Sequence, residues 1–189
     1  MPASGKTVYI TFDDGPVNEV TPLVLDMLKH YHVKASFFCI GKNVAANPHV
    51  YQRIIAEGHA IGNHSYSHLK GWNTSRSDYL QDVQRCADLV ESRLFRPPYG
   101  KMTPAQFLRL RKDYSIIMWD VLSMDYDLRL TPEQCLENVL NHVRPGSIIT
   151  FHDSVKAWPR LQPILPVIIE KMLAEGYRFA TLNADDFSS

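Results

Sequence analysis

Residues Val8–Val17 read VYITFDDGPV. The first half is β-branched and aromatic, the composition of a buried strand. The second half sets two carboxylates side by side, just before Gly15 and Pro16. Asp-Gly and Gly-Pro are turn formers, so a plain turn ending a strand accounts for the local pattern. Whether the pair does more depends on what the rest of the chain brings near it.

Beyond this stretch, short apolar runs alternate with segments of helical period. The runs are Val8–Phe12, Ala35–Ile40, Ala60–His64, Leu94–Pro98, Ser115–Asp120, Ser147–Asp153 and Tyr177–Leu182. Helices are expected at about Val20–Tyr31, Pro48–Glu57, Ser77–Ser92, Pro104–Asp113, Pro132–Val143 and Pro163–Glu175. Thr103-Pro104 and Thr131-Pro132 pair a capping residue with a proline, a sound helix start. Glu57-Gly58 and Glu175-Gly176 mark helix ends. Strand–helix alternation of this kind implies an α/β fold around a parallel sheet, closed into a barrel or doubly wound. A doubly wound dinucleotide fold would carry GxGxxG after its first strand, and this chain does not. A (β/α) barrel of about seven parallel strands is therefore favoured, smaller or less regular than the eight-stranded form.

The chain has 189 residues, enough for one domain (1–189) with a substantial core. Twenty basic and twenty acidic residues cancel, which gives no electrostatic footprint for nucleic acid. No apolar run is long enough to span a bilayer. The opening MPASGK lacks the apolar segment of a signal peptide. As it stands the chain reads as cytoplasmic, with the cell envelope or exterior as its destination if a leader preceded it. Cys39, Cys86 and Cys135 form no even disulfide framework and read as small buried hydrophobes.

In a barrel, function collects at the C-terminal ends of the strands. Asp13 and Asp14 close the first run, and His64 closes the third with His68 four residues on. Arg96 ends the fourth, Asp120 and Asp125 follow the fifth, and His152 and Asp153 end the sixth. Ionisable groups at the same end of five strands converge on one mouth. The spacing of His64 and His68 suits one face of a helical turn and a metal chelate, although HSYSH lacks the glutamate of a zincin. One Asp and two neutral His suit zinc or a similar divalent ion with positions open to water. The remaining histidines, His30, His32, His49, His59 and His142, fall away from this mouth.

Four segments in order, TFDDGP (Thr11–Pro16), HSYSH (His64–His68), RPPYG (Arg96–Gly100) and the FHD of Phe151–Asp153, resemble the motifs of polysaccharide deacetylases. That family is carbohydrate esterase family four, the NodB-homology domain, and the likeness runs from about Val8 to Leu182. It implies a distorted (β/α) barrel and a role for each matching residue. Asp13 matches the general base, and Asp14, His64 and His68 match the metal ligands. Arg96 matches the arginine that braces the base, and Tyr99 the residue whose backbone N–H helps hold the oxyanion. Asp125 looks like the acid of the fourth motif, and His152 like the general acid of the fifth. Three positions depart from the pattern. Leu122 stands where an earlier Asp is usual, Tyr126 where Trp is usual, and Thr150 where Leu is usual. All three concern the pocket wall and the surroundings of His152.

The resemblance implies a hydrolase with a divalent cofactor, zinc first and cobalt or nickel next, acting on a glycan, and a monomer is expected. The ion would polarise the acyl carbonyl and lower the pKa of the attacking water. Asp13 would take the proton from that water, and His152 would protonate the departing sugar nitrogen. Tyr66, Trp72, Tyr126 and Trp158 flank these groups and suit a sugar groove, ordinary packing being the alternative for each. Removal of N-acetyl groups from N-acetylglucosamine-containing glycans, peptidoglycan or chitin-like, leads. The alternatives are an O-acetyl esterase on xylan, a deacylase of another small amide, and an inactive carbohydrate-binding domain, the last opposed by the presence of both Asp13 and His152.

Overall fold

The computed structural model describes residues 5–187; Met1–Ser4 of the MPASGK opening lie outside them. Its strands are β1 (Thr7–Asp13), β2 (Ser36–Cys39), β3 (Ala60–Asn63), β4 (Leu94–Phe95), β5 (Ser115–Ile116), β6 (Val121–Leu122), β7 (Ile148–His152) and β8 (Arg178–Phe179). They form one sheet in the order β5-β4-β3-β2-β1-β7-β6, with β8 added against β1, and every pairing is parallel. The result is a curled half-barrel rather than a closed one: no ladder joins β5 to β6 among the described residues.

β1 sits at the centre and sorts its side chains onto two faces, as strand geometry requires. Val8, Ile10 and Phe12 are fully buried in the core beneath the helices. Tyr9 points the other way, into a small cluster with Phe38, Leu94, Ile117 and Leu182. Thr11 and Asp13 continue Tyr9's face toward the strand's C-terminal end. Going up the interior, the lining therefore changes from apolar to hydroxyl to carboxylate. Burial on both faces explains why this strand reads as a nearly unbroken apolar run.

The helices are α1 (Thr21–His30), α2 (Gly41–Ala46), α3 (Pro48–Ala56), α4 (Arg76–Ala87), α5 (Pro104–Leu110), α6 (Pro132–Leu140) and α7 (Trp158–Ala174). Capping boxes start α5 at Thr103 with Gln106 and α6 at Thr131 with Gln134, where the Thr-Pro pairs predict them. No helix among the described residues is long and apolar enough to cross a membrane.

Two expectations change, and one helix is unforeseen. The single run Ser115–Asp120 is two short strands, β5 and β6, joined without a helix. Asp120 therefore precedes β6 at the end of the sheet away from the mouth, where it pairs with Arg144 at 2.9 Å and accepts from Ser147. The helix expected from Pro163 begins at Trp158 and carries Pro163 and Pro166 inside it. Burial of Leu161, Ile164, Leu165, Ile168 and Ile169 on its inner face offsets the backbone cost of those prolines, about 3 kcal/mol each. Finally, α2 is too short to show a helical period in the sequence.

Candidate active site

Asp13 and His152 are partners in the register of β1 and β7, so the two residues end neighbouring strands side by side. Arg96 follows β4, its N–H bonded to the Asn63 carbonyl of β3. Its Nη1 donates to Asp13 Oδ1 at 2.7 Å and to Thr11 Oγ1 at 2.7 Å, while Nε reaches the Ile117 carbonyl at 3.3 Å. The guanidinium is fully buried over the Phe38 ring. A buried cation in three directed bonds holds Asp13 in one orientation. Arg96 Nη2 has no hydrogen-bond partner among the described residues.

Asp14 leaves the strand with φ of 81°, which turns its carboxylate to the same mouth as Asp13. This is how two adjacent residues both reach the site, although neighbours in a regular strand point to opposite faces. Asp14 Oδ1 lies 3.2 Å from His68 Nε2 and 3.7 Å from His64 Nε2. That oxygen is buried yet has no hydrogen-bond partner among the described residues. The three ligand atoms lie within 4.8 Å of one another. An orphaned carboxylate oxygen facing two imidazole nitrogens is a donor set that a divalent ion would satisfy. Burial pushes the Asp14 carboxyl up, but the imidazoles of His68, His152 and His64 outweigh it and hold the group below the usual carboxylate range. His64 donates from Nδ1 to the Arg96 carbonyl at 2.7 Å, which orients its Nε2 toward Asp14. Burial pushes the His64 imidazolium down, favouring the neutral ring that a ligand must be.

The two histidines are not on a helical turn. His64 follows β3 in a loop in which Ser65 and His68 have φ of 60° and 57°. That loop is pinned elsewhere: Asp82 of α4 accepts the Tyr66 and Ser67 N–H groups at 3.0 and 2.9 Å. Among the described residues, five of the six non-glycine residues with positive φ surround this mouth: Asp14, Ser65, His68, Tyr99 and Met124. Such conformations cost about 1 kcal/mol or more each and persist where the surroundings enforce them.

Asp125 is fully buried and grips His152 twice: Oδ1 faces Nδ1 at 2.7 Å, and Oδ2 accepts the His152 backbone N–H at 2.9 Å. Burial pushes the His152 imidazolium down, but the Asp125 charge and hydrogen bond, aided by Asp13 and Asp14, carry it up to about 9. Arg160 of α7 anchors the same loop by donating to the Asp125 carbonyl at 2.6 Å.

Asp13, Asp14, His64, His68 and His152 line one cavity of about 560 Å³, and Arg96 and Asp125 support it from outside the lining. Tyr99 lines it with its ring 4.6 Å from that of His68, and Tyr126 lines it 4.9 Å from His152. The departures Leu122 and Thr150 are also on the wall, and Thr150 Oγ1 lies 3.0 Å from Thr11 Oγ1. Trp72 and Trp158 are outside the lining. Trp72 is 61% exposed, its Nε1 bonded to the Met102 carbonyl, and Trp158 packs on the main core. Trp119 lines the cavity instead, a contribution its place between β5 and β6 hides in the sequence.

Asp153 is the residue that sequence reasoning quotes in FHD without giving it a task. Its Oδ1 accepts the Gly15 N–H at 2.9 Å, and its Oδ2 accepts the Thr21 hydroxyl at 2.6 Å. A Cβ on Gly15 would stand 2.0 Å from that carboxylate, so the DDGP turn needs glycine there.

A family model described as polysaccharide deacetylase matches residues 1–116. A peptidoglycan-N-acetylglucosamine deacetylase of Bacillus cereus is 34% identical over 193 residues, covering 97% of this chain and 89% of that protein. The crystal structure of the Bc1960 peptidoglycan N-acetylglucosamine deacetylase superposes with a TM-score of 0.85 at 32% identity, over 96% of this chain and 88% of that one. The Xyl-CE4 domain of a multidomain xylanase from the hindgut metagenome of Trinervitermes trinervoides gives 0.83 at 32% identity, over 95% and 88%. By its curled parallel sheet, its four ordered motifs and these likenesses, the chain belongs to the polysaccharide deacetylase family.

Proposed function

We propose that the protein hydrolyses the N-acetyl amide of N-acetylglucosamine units in peptidoglycan-type or chitin-like glycans. The observation that carries this is that Asp13, braced by Arg96, His152, held by Asp125, and the Asp14, His64 and His68 cluster all face one cavity. The names of the Bacillus cereus relative and of the Bc1960 structure support the glycan class.

Asp14, His64 and His68 would hold a divalent ion, zinc by donor type, which when bound polarises the acyl oxygen and acidifies water. Asp13, oriented by Arg96, accepts the proton from the water that attacks the carbonyl carbon. The Tyr99 backbone N–H donates to the oxyanion that forms on the substrate. His152 has its Nδ1 committed to Asp125, so Nε2 is the atom that protonates the departing sugar nitrogen. An amine leaves badly as an anion, and an imidazolium kept protonated at neutral pH answers that need. Acetate and the free amino sugar result.

Ester hydrolysis on acetylated xylan is the second reading, favoured by the likeness to the Xyl-CE4 domain. Acetate release from chitooligosaccharides, peptidoglycan strands and acetylxylan tests both. Chelation should abolish release and zinc or cobalt should restore it. Full activity in metal-free protein would defeat the cation assignment, and release from acetylxylan alone would defeat the amide reading.

A further inference from the structure

Asp13 and His152 end β1 and β7 side by side, and the residues below them on the same face are the register partners Thr11 and Thr150. Thr150 is also the register partner of Leu122 in β6. A row of Thr11, Thr150 and Leu122 therefore lies one step beneath the row that carries the chemistry. Thr150 and Leu122 both line the cavity, and Thr150 is fully buried, which puts its hydroxyl at the closed end.

The shape of an amide substrate decides what reaches that end. The acyl carbon carries an oxygen, the sugar nitrogen and the acyl tail. The oxygen is claimed by the Tyr99 backbone N–H and by the side of the cavity that Asp14, His64 and His68 line. The nitrogen faces His152, and the glycan chain attached to it can leave only through the open mouth. The tail is left with the floor, against Leu122 and Thr150.

Thr150 has bonding capacity to spare there. Thr11 Oγ1 accepts from Arg96 Nη1 at 2.7 Å and donates its one proton to the Ile149 carbonyl at 3.0 Å. The 3.0 Å contact between the two threonine hydroxyls is then donated by Thr150. Thr150 Oγ1 accepts from no group among the described residues, so its lone pairs are open. An acetyl methyl has nothing to donate to them. A hydroxyl on the acyl α-carbon does, and its methylene would rest on Leu122.

We propose that this floor reads the acyl group, with Thr150 Oγ1 accepting from an α-hydroxyl. The protein then hydrolyses N-glycolyl amides of its glycan as well as N-acetyl ones, and favours them over acyl groups of equal size that lack the hydroxyl. This rests on the amide-hydrolase reading of the same cavity and extends it to a second acyl class. Water gives its oxygen to the acyl carbon as the C–N bond breaks, the nitrogen takes up a proton, and glycolate and the free amino sugar result.

The test measures kcat/KM on one chitooligosaccharide backbone N-acylated with acetyl, glycolyl or propionyl groups. Glycolyl and propionyl differ by a hydroxyl in place of a methyl, so size is held constant. The native protein should favour glycolyl over propionyl by about tenfold, the effect of one hydrogen bond made in place of an unpaired acceptor. Thr150→Val should bring that ratio to one or below, and Thr150→Ser should keep it. Any disturbance that Thr150→Val passes through Thr11 to Arg96 slows all three substrates alike, so the ratio reports the floor. A ratio near one in the native protein, or one that survives Thr150→Val, would overturn the proposal. If no amide is cleaved the hydrolase reading falls. Calorimetric binding of the glycolyl and propionyl oligomers, with and without Thr150→Val, then still decides the floor.

Discussion

A single carboxylate, that of Asp125, fixes both the ring and the backbone of His152, accepting Nδ1–H through one oxygen and the main-chain N–H through the other. The ring is thereby held in one tautomer, with Nε2 as its free end. The same charge opposes the burial that would strip the ring of its proton.

Asp125→Asn should therefore act on the pH profile as well as on the rate. Below about 9 the ring is an imidazolium and can serve as the acid. Without the negative charge, burial prevails and the ring loses its proton earlier. The basic limb of kcat/KM should move down by about one to two pH units. A variant that merely turned over more slowly, with its profile unmoved, would contradict the electrostatic role.

The neighbours in TFDDGP should separate cleanly. Asp14→Asn removes the anionic donor and should strip or greatly weaken divalent-ion binding. Asp13→Asn leaves Asp14, His64 and His68 intact, so metal should remain near one per chain while turnover falls roughly 10²–10⁴-fold. Metal titration beside acetate release decides it. Metal loss in the Asp13 variant and retention in the Asp14 variant would reverse the two roles.

Asp153→Ala should loosen the turn that aims Asp14. It frees the Gly15 N–H and the Thr21 hydroxyl, at a cost of about 1–3 kcal/mol in stability. Metal affinity should fall with it, though Asp153 is no ligand. Gly15→Ala should share that loss, because its new methyl meets the same carboxylate. Unchanged metal affinity in both variants would remove Asp153 from the positioning of the site.

His59 predicts an acid weakness far from the chemistry. Its Nδ1 accepts the Ala35 N–H at 3.1 Å, and its buried Nε2 has no partner among the described residues. Burial, with the nearby Lys34 charge, pushes its imidazolium down to about 4. The unfolded chain therefore binds a proton first, near the ordinary value of about 6.5. The stability that neutral His59 provides is present above pH 6.5 or so and is lost as pH falls toward about 4. His59→Asn, which keeps an acceptor but no titration, should be less stable than the native protein at pH 7, with the gap in melting temperature narrowing toward pH 4. A gap constant across that range would refute the assignment.

Much of this was legible in the chain itself. The apolar runs, Thr-Pro helix starts and Glu-Gly stops follow from period and local backbone preference, so strand–helix alternation and the parallel sheet are read directly. Charged residues at run ends are costly to bury without a partner, which is why Asp13, Asp14, His64, Arg96 and His152 stand out as strand-end residues. What the sequence could not decide depends on contacts between distant segments. Two-residue strands carry no period, so the β5–β6 break, the retreat of Asp120 from the mouth and the entry of Trp119 into the lining appear only in three dimensions. The positive φ values of Asp14, Ser65, His68 and Tyr99 are likewise not local preferences. They are imposed by the tertiary structure, as where Asp82 grips the His64–His68 loop and Asp153 grips Gly15, and that is what turns a list of polar residues into one site.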